Sequence, residues 1–291
     1  MKLKFFGYFI FIAVCIIYSL VAHFPSKTVS KYIEQNFSQI NSQVKLQIDN
    51  IYPSFPPGIK ADSILVSYAG APIARFDNFK SFFDLTSVFS DTLTGSFKTG
   101  VFDGIMSGIV RVSKDKTWEA GIETELKNLN FKNFQMGKDL PGYQFSGILN
   151  GKVTTGLNKQ GQILKNYGEV NFTDFSLQFP EALFALEKYS FLTGKVKFTM
   201  HRQNIIKIEK CNMKGRQLDI QAHGEIRLAA IFQKSILNIK ARAILYPMFF
   251  MNAGNSKPAD IAKNDSGNVI INLQIKGTIQ NPKIKLGQGT K

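Results

Sequence analysis

Gln217-Leu218-Asp219-Ile220-Gln221-Ala222-His223-Gly224-Glu225-Ile226-Arg227-Leu228 alternates polar and apolar residues without a break. Side chains of a β-strand point to opposite faces in turn, so this stretch has one dry face and one wet face. Leu237, Ile239, Ala241, Ala243 and Leu245 repeat the period, and so do Val269, Ile271, Leu273 and Ile275. Upstream, Phe102-Asp103-Gly104-Ile105-Met106-Ser107-Gly108-Ile109-Val110 recurs as Phe145-Ser146-Gly147-Ile148-Leu149-Asn150-Gly151-Lys152-Val153. Phe, both Gly, Ile and Val are retained, and Phe, both Gly, Met or Leu and Val share one parity. A recurring supersecondary unit predicts a sheet that grows by adding strands.

A one-sided sheet must cover its apolar face, by folding into a sandwich or barrel or by curling into a trough. The fold expected is therefore mainly β: an elongated, curled, largely antiparallel sheet, groove or sandwich, with short amphipathic helices and one N-terminal transmembrane helix. Glycine on the apolar face permits bending or close approach of another group. Phe102, Gly104, Met106, Gly108, Phe145, Gly147, Leu149 and Gly151 are thus candidates for a groove or lipid-facing surface.

The chain start is of a different kind. Met1-Lys2-Leu3-Lys4 is basic, and Phe5 to Ala22 carries no charge. That run is longer than a signal-peptide core and near the length that spans a bilayer. Cleavage after Ala22 would place Leu20 where a small residue is preferred. The expected division is a cytoplasmic tip at 1–4, an anchor at 5–23, a short amphipathic segment within 24–42, and a β domain at 43–291. Val29, Tyr32, Ile33, Phe37 and Ile40 lie on one helical face, predicting a helix over 26–39 that lies on the membrane or caps the sheet. Ala69-Gly70-Ala71-Pro72 reads as a hairpin turn, Phe82–Phe89 as an ambiguous segment or helical turn, and Glu181–Tyr189 as a short helix after Pro180. Residues 252–268, rich in Asn, Gly, Ser, Lys and Asp, read as a mobile loop.

The chain has 291 residues, 44% of them apolar, and a net charge of +15. It can fill a core, and its charge points to an anionic partner. Lys195, Lys197, Lys207, Lys210, Lys214 and Arg216 gather loosely, as a solvated strand face or a contact for anionic headgroups. They form no dense stripe with stacking aromatics, so nucleic acid is not expected. Cys15 lies in the anchor and Cys211 in the β domain, which excludes a disulfide between them. His201, Cys211 and His223 match no zinc spacing. No Gly-x-Ser-x-Gly elbow, P-loop, dinucleotide fingerprint or His-Glu-x-x-His occurs. No catalytic residue, metal ligand or cofactor is assigned, and the chain is not expected to be an enzyme.

The order of these parts carries a resemblance. A single span precedes Phe24-Pro25 and a short helix. Ile51-Tyr52-Pro53, Pro56-Pro57-Gly58-Ile59 and Ala61-Asp62-Ser63-Ile64-Leu65-Val66 follow, then the Phe-x-Gly-Ile-x-x-Gly-x-Val repeats and Ser235-Ile236-Leu237-Asn238. The chain closes on Ile275-Lys276-Gly277-Thr278-Ile279-Gln280-Asn281-Pro282-Lys283-Ile284. This resembles the type II secretion system protein N family (GspN) of AsmA-like bacterial envelope proteins. Gly277, Thr278 and Pro282 match the family-like ending. The resemblance implies an inner-membrane, single-pass protein with its bulk in the periplasm. It would be an accessory part of type II protein secretion that docks other secretion subunits. The AsmA-like relatives imply an alternative, a groove that binds or transfers membrane phospholipid. Asp103 departs from the pattern, standing where an apolar or small residue is more natural.

Overall fold

The computed structural model describes residues 22–40, 43–68, 70–115, 119–133, 144–183, 186–201, 204–229, 231–252 and 268–286, with isolated positions between 8 and 19. Fourteen strands form one antiparallel sheet in strict sequence order, each pairing only with its chain neighbours. In order they are β1 (Val44–Ser54), β2 (Gly58–Tyr68), β3 (Ala71–Phe83), β4 (Thr92–Val101), β5 (Gly104–Ser113), β6 (Ala120–Asn130) and β7 (Gln144–Leu157). Then come β8 (Ile163–Leu183), β9 (Leu186–His201), β10 (Ile205–Gly215), β11 (Leu218–Arg227), β12 (Ile236–Leu245), β13 (Val269–Thr278) and β14 (Pro282–Leu286). At the usual spacing of strands the sheet extends about 60 Å across them. β1 and β14 do not pair, so the sheet is open, neither barrel nor sandwich.

The strict alternation of 217–228 becomes β11, with Gln221, His223 and Glu225 exposed and Leu218 buried. β12 and β13 bury Ala241, Ala243, Leu245, Val269 and Ile271 on the same side. Helix α1 (Ser26–Ile40) confirms the amphipathic segment. It runs along the free edge of β1, where Glu34 Oε1 accepts the Ile48 N–H at 2.7 Å. Ser26 Oγ donates to the Ile51 carbonyl at 2.5 Å. An unpaired strand edge invites foreign strands, and α1 occupies this one. Pro53 lies inside β1, which an edge strand tolerates because one row of its N–H groups is unused.

One local expectation is corrected and one is made definite. The helix expected over Glu181–Tyr189 is absent among the described residues; β8 continues to Leu183, β9 starts at Leu186, and Leu183 pairs with Leu186. A helix this short nucleates poorly, and the strands gain ladder bonds from each other. Phe82–Phe89 divides between strand and turn: β3 ends at Phe83, and Leu85–Phe89 is a 3-10 turn capped by Asp84.

The core gathers at one end of the apolar face. Tyr189, Phe191, Met213, Leu218, Leu245 and Val269 pack beneath α2 (Pro247–Asn252), whose Phe249 is 3% exposed. A smaller buried group, Ile51, Ala61, Thr99 and Val101, lies near the β1 end. Between them the inward side chains are half-buried while outward ones are exposed, as a sheet curled over its apolar side produces. Asparagine or aspartate with positive φ interrupts the ladder at Asn50, Asn78, Asn128 and Asp174. These residues tolerate the left-handed region, and each coincides with a skipped or shifted pair that bends the sheet.

The expected loop at 252–268 lies almost wholly outside the described residues, and so does most of the anchor at 5–23. Tyr8, Phe11, Ile12 and Tyr18 of that segment are helical and exposed. Among the described residues no helix is long and apolar enough to cross a membrane.

Candidate functional site

The apolar face is the largest continuous feature with a possible role. Met106 and Gly108 of β5 point to it, as do Phe145, Gly147, Leu149 and Gly151 of β7, all half-buried, and Gly104 is buried there. Phe102 lies elsewhere. With Asp103 it forms the two-residue turn between β4 and β5, at φ 48° and 60°. Such a turn needs positive φ at both positions, which explains why an aspartate interrupts the repeat. The two repeats are therefore unequal: the first opens in a turn, the second inside β7.

The space beside the glycines is already taken. A Cβ at Gly108 would stand 2.4 Å from the Glu123 carbonyl oxygen and 2.6 Å from the Phe97 ring. At Gly151 it would meet Val170 Cγ1 at 2.7 Å and the Glu169 carbonyl oxygen at 2.8 Å. Phe97 pairs directly with Gly108, and Phe198 with Gly168. A ring from the neighbouring strand thus covers each gap. These glycines serve close approach within the sheet.

The aromatic cluster of this face was not foreseen from the sequence. The bulge at Asp174 flips the parity of β8, so Phe172 and Phe175 both turn inward. Their ring centroids are 5.4 Å apart, and Phe131 and Phe191 join them at 5.6 and 6.4 Å. Tyr189 packs edge-on against Phe179, and burial pushes its hydroxyl pKa up to about 12, so it stays neutral. Burial also pushes the Cys211 thiol up, which suppresses the reactive thiolate. Both cysteines are free.

Gly277, Thr278 and Pro282 form the last hairpin. Gly277 has φ 94° and pairs with Pro282. The Asn281 N–H donates to the Thr278 carbonyl and to its Oγ1, each at 3.1 Å. This turn is tied to the β11–β12 connection: Ile279 N–H donates to the Ser235 carbonyl at 3.0 Å, and Ser235 Oγ accepts the Ala229 N–H at 3.1 Å. Ser235 is fully buried. The family-like ending is thus a structural clasp.

The outward face holds the charges. Glu169 pairs with Lys195 and Lys197, the latter at 3.2 Å, and these contacts hold its carboxyl below the usual range. His223 is exposed on the outward side of β11. Among the described residues no three His, Cys, Asp or Glu side chains stand close enough to hold a metal ion.

No family model, curated protein or solved structure matches the chain. The functional reading therefore rests on what these surfaces can do. An open sheet with one half-buried apolar face and one charged face can bind partners on either.

Proposed function

We propose that the chain is an accessory, inner-membrane-anchored envelope component of type II protein secretion that works by docking. Its N-terminal segment would hold it at the membrane as a single span, with the β domain in the periplasm. The observation that carries this reading is the open sheet itself. It is a long single layer with α1 on one edge and a short free edge at β14, so it offers an extended surface rather than a closed pocket. The secretion context comes from the resemblance in order and spacing of the sequence parts. The test is deletion in the source organism, followed by partition of secreted proteins between periplasm and medium. Periplasmic accumulation restored by the intact chain supports the reading; normal secretion refutes it.

A second reading has its own observation, the half-buried apolar strip between the two buried groups. This strip would hold acyl chains of membrane phospholipid. Gly147 and Gly151 are poor places to block it, because any side chain there collides with β8. A photo-crosslinking residue at Met106, inward, against one at Ile105, which is outward and 41% exposed, separates the cases in the full chain. Lipid adducts from position 106 alone support a groove. Adducts at neither position, or equally at both, sink it.

A further inference from the structure

The outward face of β9 to β14 carries a field of cations, of which only Lys195 and Lys197 form an ion pair among the described residues, and the geometry points to an anionic phospholipid bilayer surface as its partner. This does not rest on the secretion reading and concerns the face opposite the apolar strip.

Strand register, invisible in the sequence, assembles the field. Lys197 of β9 stands directly across from Lys210 of β10. The bulge holding Glu209 and Lys210 lies across from His223 of β11, which pairs with Lys240 of β12. Lys240 pairs with Gln274 of β13, and Gln274 with Lys285 of β14. One row therefore crosses six strands, with cations at four of them. In the next row Lys276 is directly opposite Lys283. Like charges directly opposite each other destabilise a sheet, and an anionic partner relieves that repulsion. Twelve exposed Lys and Arg project from this side of β9–β14, against three carboxylates among the described side chains, Glu209, Asp219 and Glu225. Asp219 is turned to the Gly215 N–H at 3.1 Å. Among the described residues the other ion pairs lie off these strands, Arg75–Asp77, Arg111–Glu123 and Lys127–Glu125, and only Lys195 and Lys197 reach a carboxylate, Glu169 of the neighbouring β8.

The composition selects the partner. Ten of the twelve are lysine, a hydrated point charge without the planar fork that recognises individual carboxylates. Protein interface cores are depleted in lysine and enriched in aromatics, and this side of these strands has no aromatic. The same lack removes the stacking platform that single-stranded nucleic acid uses. A diffuse lattice of phosphate headgroups needs only the field, gathered from many cations. Lys210, His223, Lys240 and Arg242 line an open depression of about 810 Å³, with Glu209 at its side, into which headgroups fit. The field lies eight or more strands from the α1 edge, about 40 Å or more. It addresses a different surface from the one beside the chain start.

The test is flotation of the full chain with phosphatidylcholine vesicles with and without phosphatidylglycerol, at low and high salt. The N-terminal segment is common to all variants, so the dependence on lipid charge reads the face. Wild type is expected to favour the anionic vesicles at least about tenfold at low salt. Combined Lys210→Glu, Lys240→Glu, Arg242→Glu and Lys285→Glu should abolish the preference, and the four Gln equivalents, which remove charge without reversing it, should reduce it. The matched set Lys45→Glu, Lys80→Glu, Lys98→Glu and Lys152→Glu should leave most of it. Equal loss from both Glu sets would overturn the proposal, since net charge alone would then be acting. So would a wild type indifferent to lipid charge, which would leave an acidic protein surface as the partner.

Discussion

Ser235→Ala removes one oxygen from the fully buried clasp between the β11–β12 connection and the β13–β14 turn. Its backbone bonds survive: the Ser235 N–H to Phe232 and the Ile279 N–H to the Ser235 carbonyl, both at 3.0 Å. What is lost is the acceptor for the Ala229 N–H, 3.1 Å away. A donor left without a partner in a desolvated place costs about 1–2 kcal/mol. That free energy makes local opening about 5- to 30-fold more frequent. Amide hydrogen exchange of the full chain should therefore accelerate by that factor in residues 228–236. It should do so in 277–281 as well, because the turn hangs on the same residue. The β1–β4 hairpins, at the far end of the sheet, should be unchanged and serve as the internal reference. Exchange in 277–281 identical to wild type would refute the clasp, showing the two connections to be independent.

Phe249→Ala should cost about 3–5 kcal/mol in denaturant titration, since α2 buries this ring, while exposed Met248→Ala should change little. Gly108→Ala should destabilise clearly, because its Cβ meets the Glu123 carbonyl oxygen. Gly121→Ala, with open space around it, should be neutral or stabilising by about 0.4–1 kcal/mol in the same titration. Asp84 accepts from the Thr86 hydroxyl and N–H, and these bonds hold its pKa below the ordinary carboxylate value. The cap is therefore fully present above the unfolded pKa and is lost as pH falls through the depressed folded value. Protection from exchange at Ser87–Ser90, taken relative to the intrinsic amide rate at each pH, should fall on acidification in wild type. In Asp84→Ala it should be low and flat across the same pH window, and matching protection profiles would refute the cap.

Where the chain alternates without interruption, the fold was legible. β11, β12 and β13 could be read residue by residue, α1 from one stripe, and the β2–β3 hairpin from its Gly70, although Ala71 and Pro72 belong to β3 rather than to the turn. Legibility failed where backbone irregularity broke the period. Asp174 reverses the parity of β8, so Phe172 and Phe175 look like opposite-facing residues until the bulge is known. Asn50, Asn78 and Asn128 do the same on β1, β3 and β6. A signal was present: Asn or Asp inside an otherwise apolar-periodic run marks a place where the backbone can turn left-handed. The 181–189 segment was misread because proline before an apolar run suits a helix start equally well, and only the partner strand decides. The glycine face was found, but its lack of free space was not. Phe97 and Phe198 reach those glycines through register, which one strand's sequence does not contain. The cation field was scattered for the same reason, and only the pairing of β9 through β14 collects it.

The unbroken order of the strands bears on how this chain acquires its shape. Because each hairpin rests only on its chain neighbours, every pairing closes a short stretch of polypeptide, and no distant segment must be found first. Folding can begin at several hairpins and spread outward, as in modular solenoids, with stability summed from local units and their junctions. Such a molecule can gain or lose a hairpin without redesign of the remainder. Its span would then be a dimension that selection adjusts directly, one hairpin at a time.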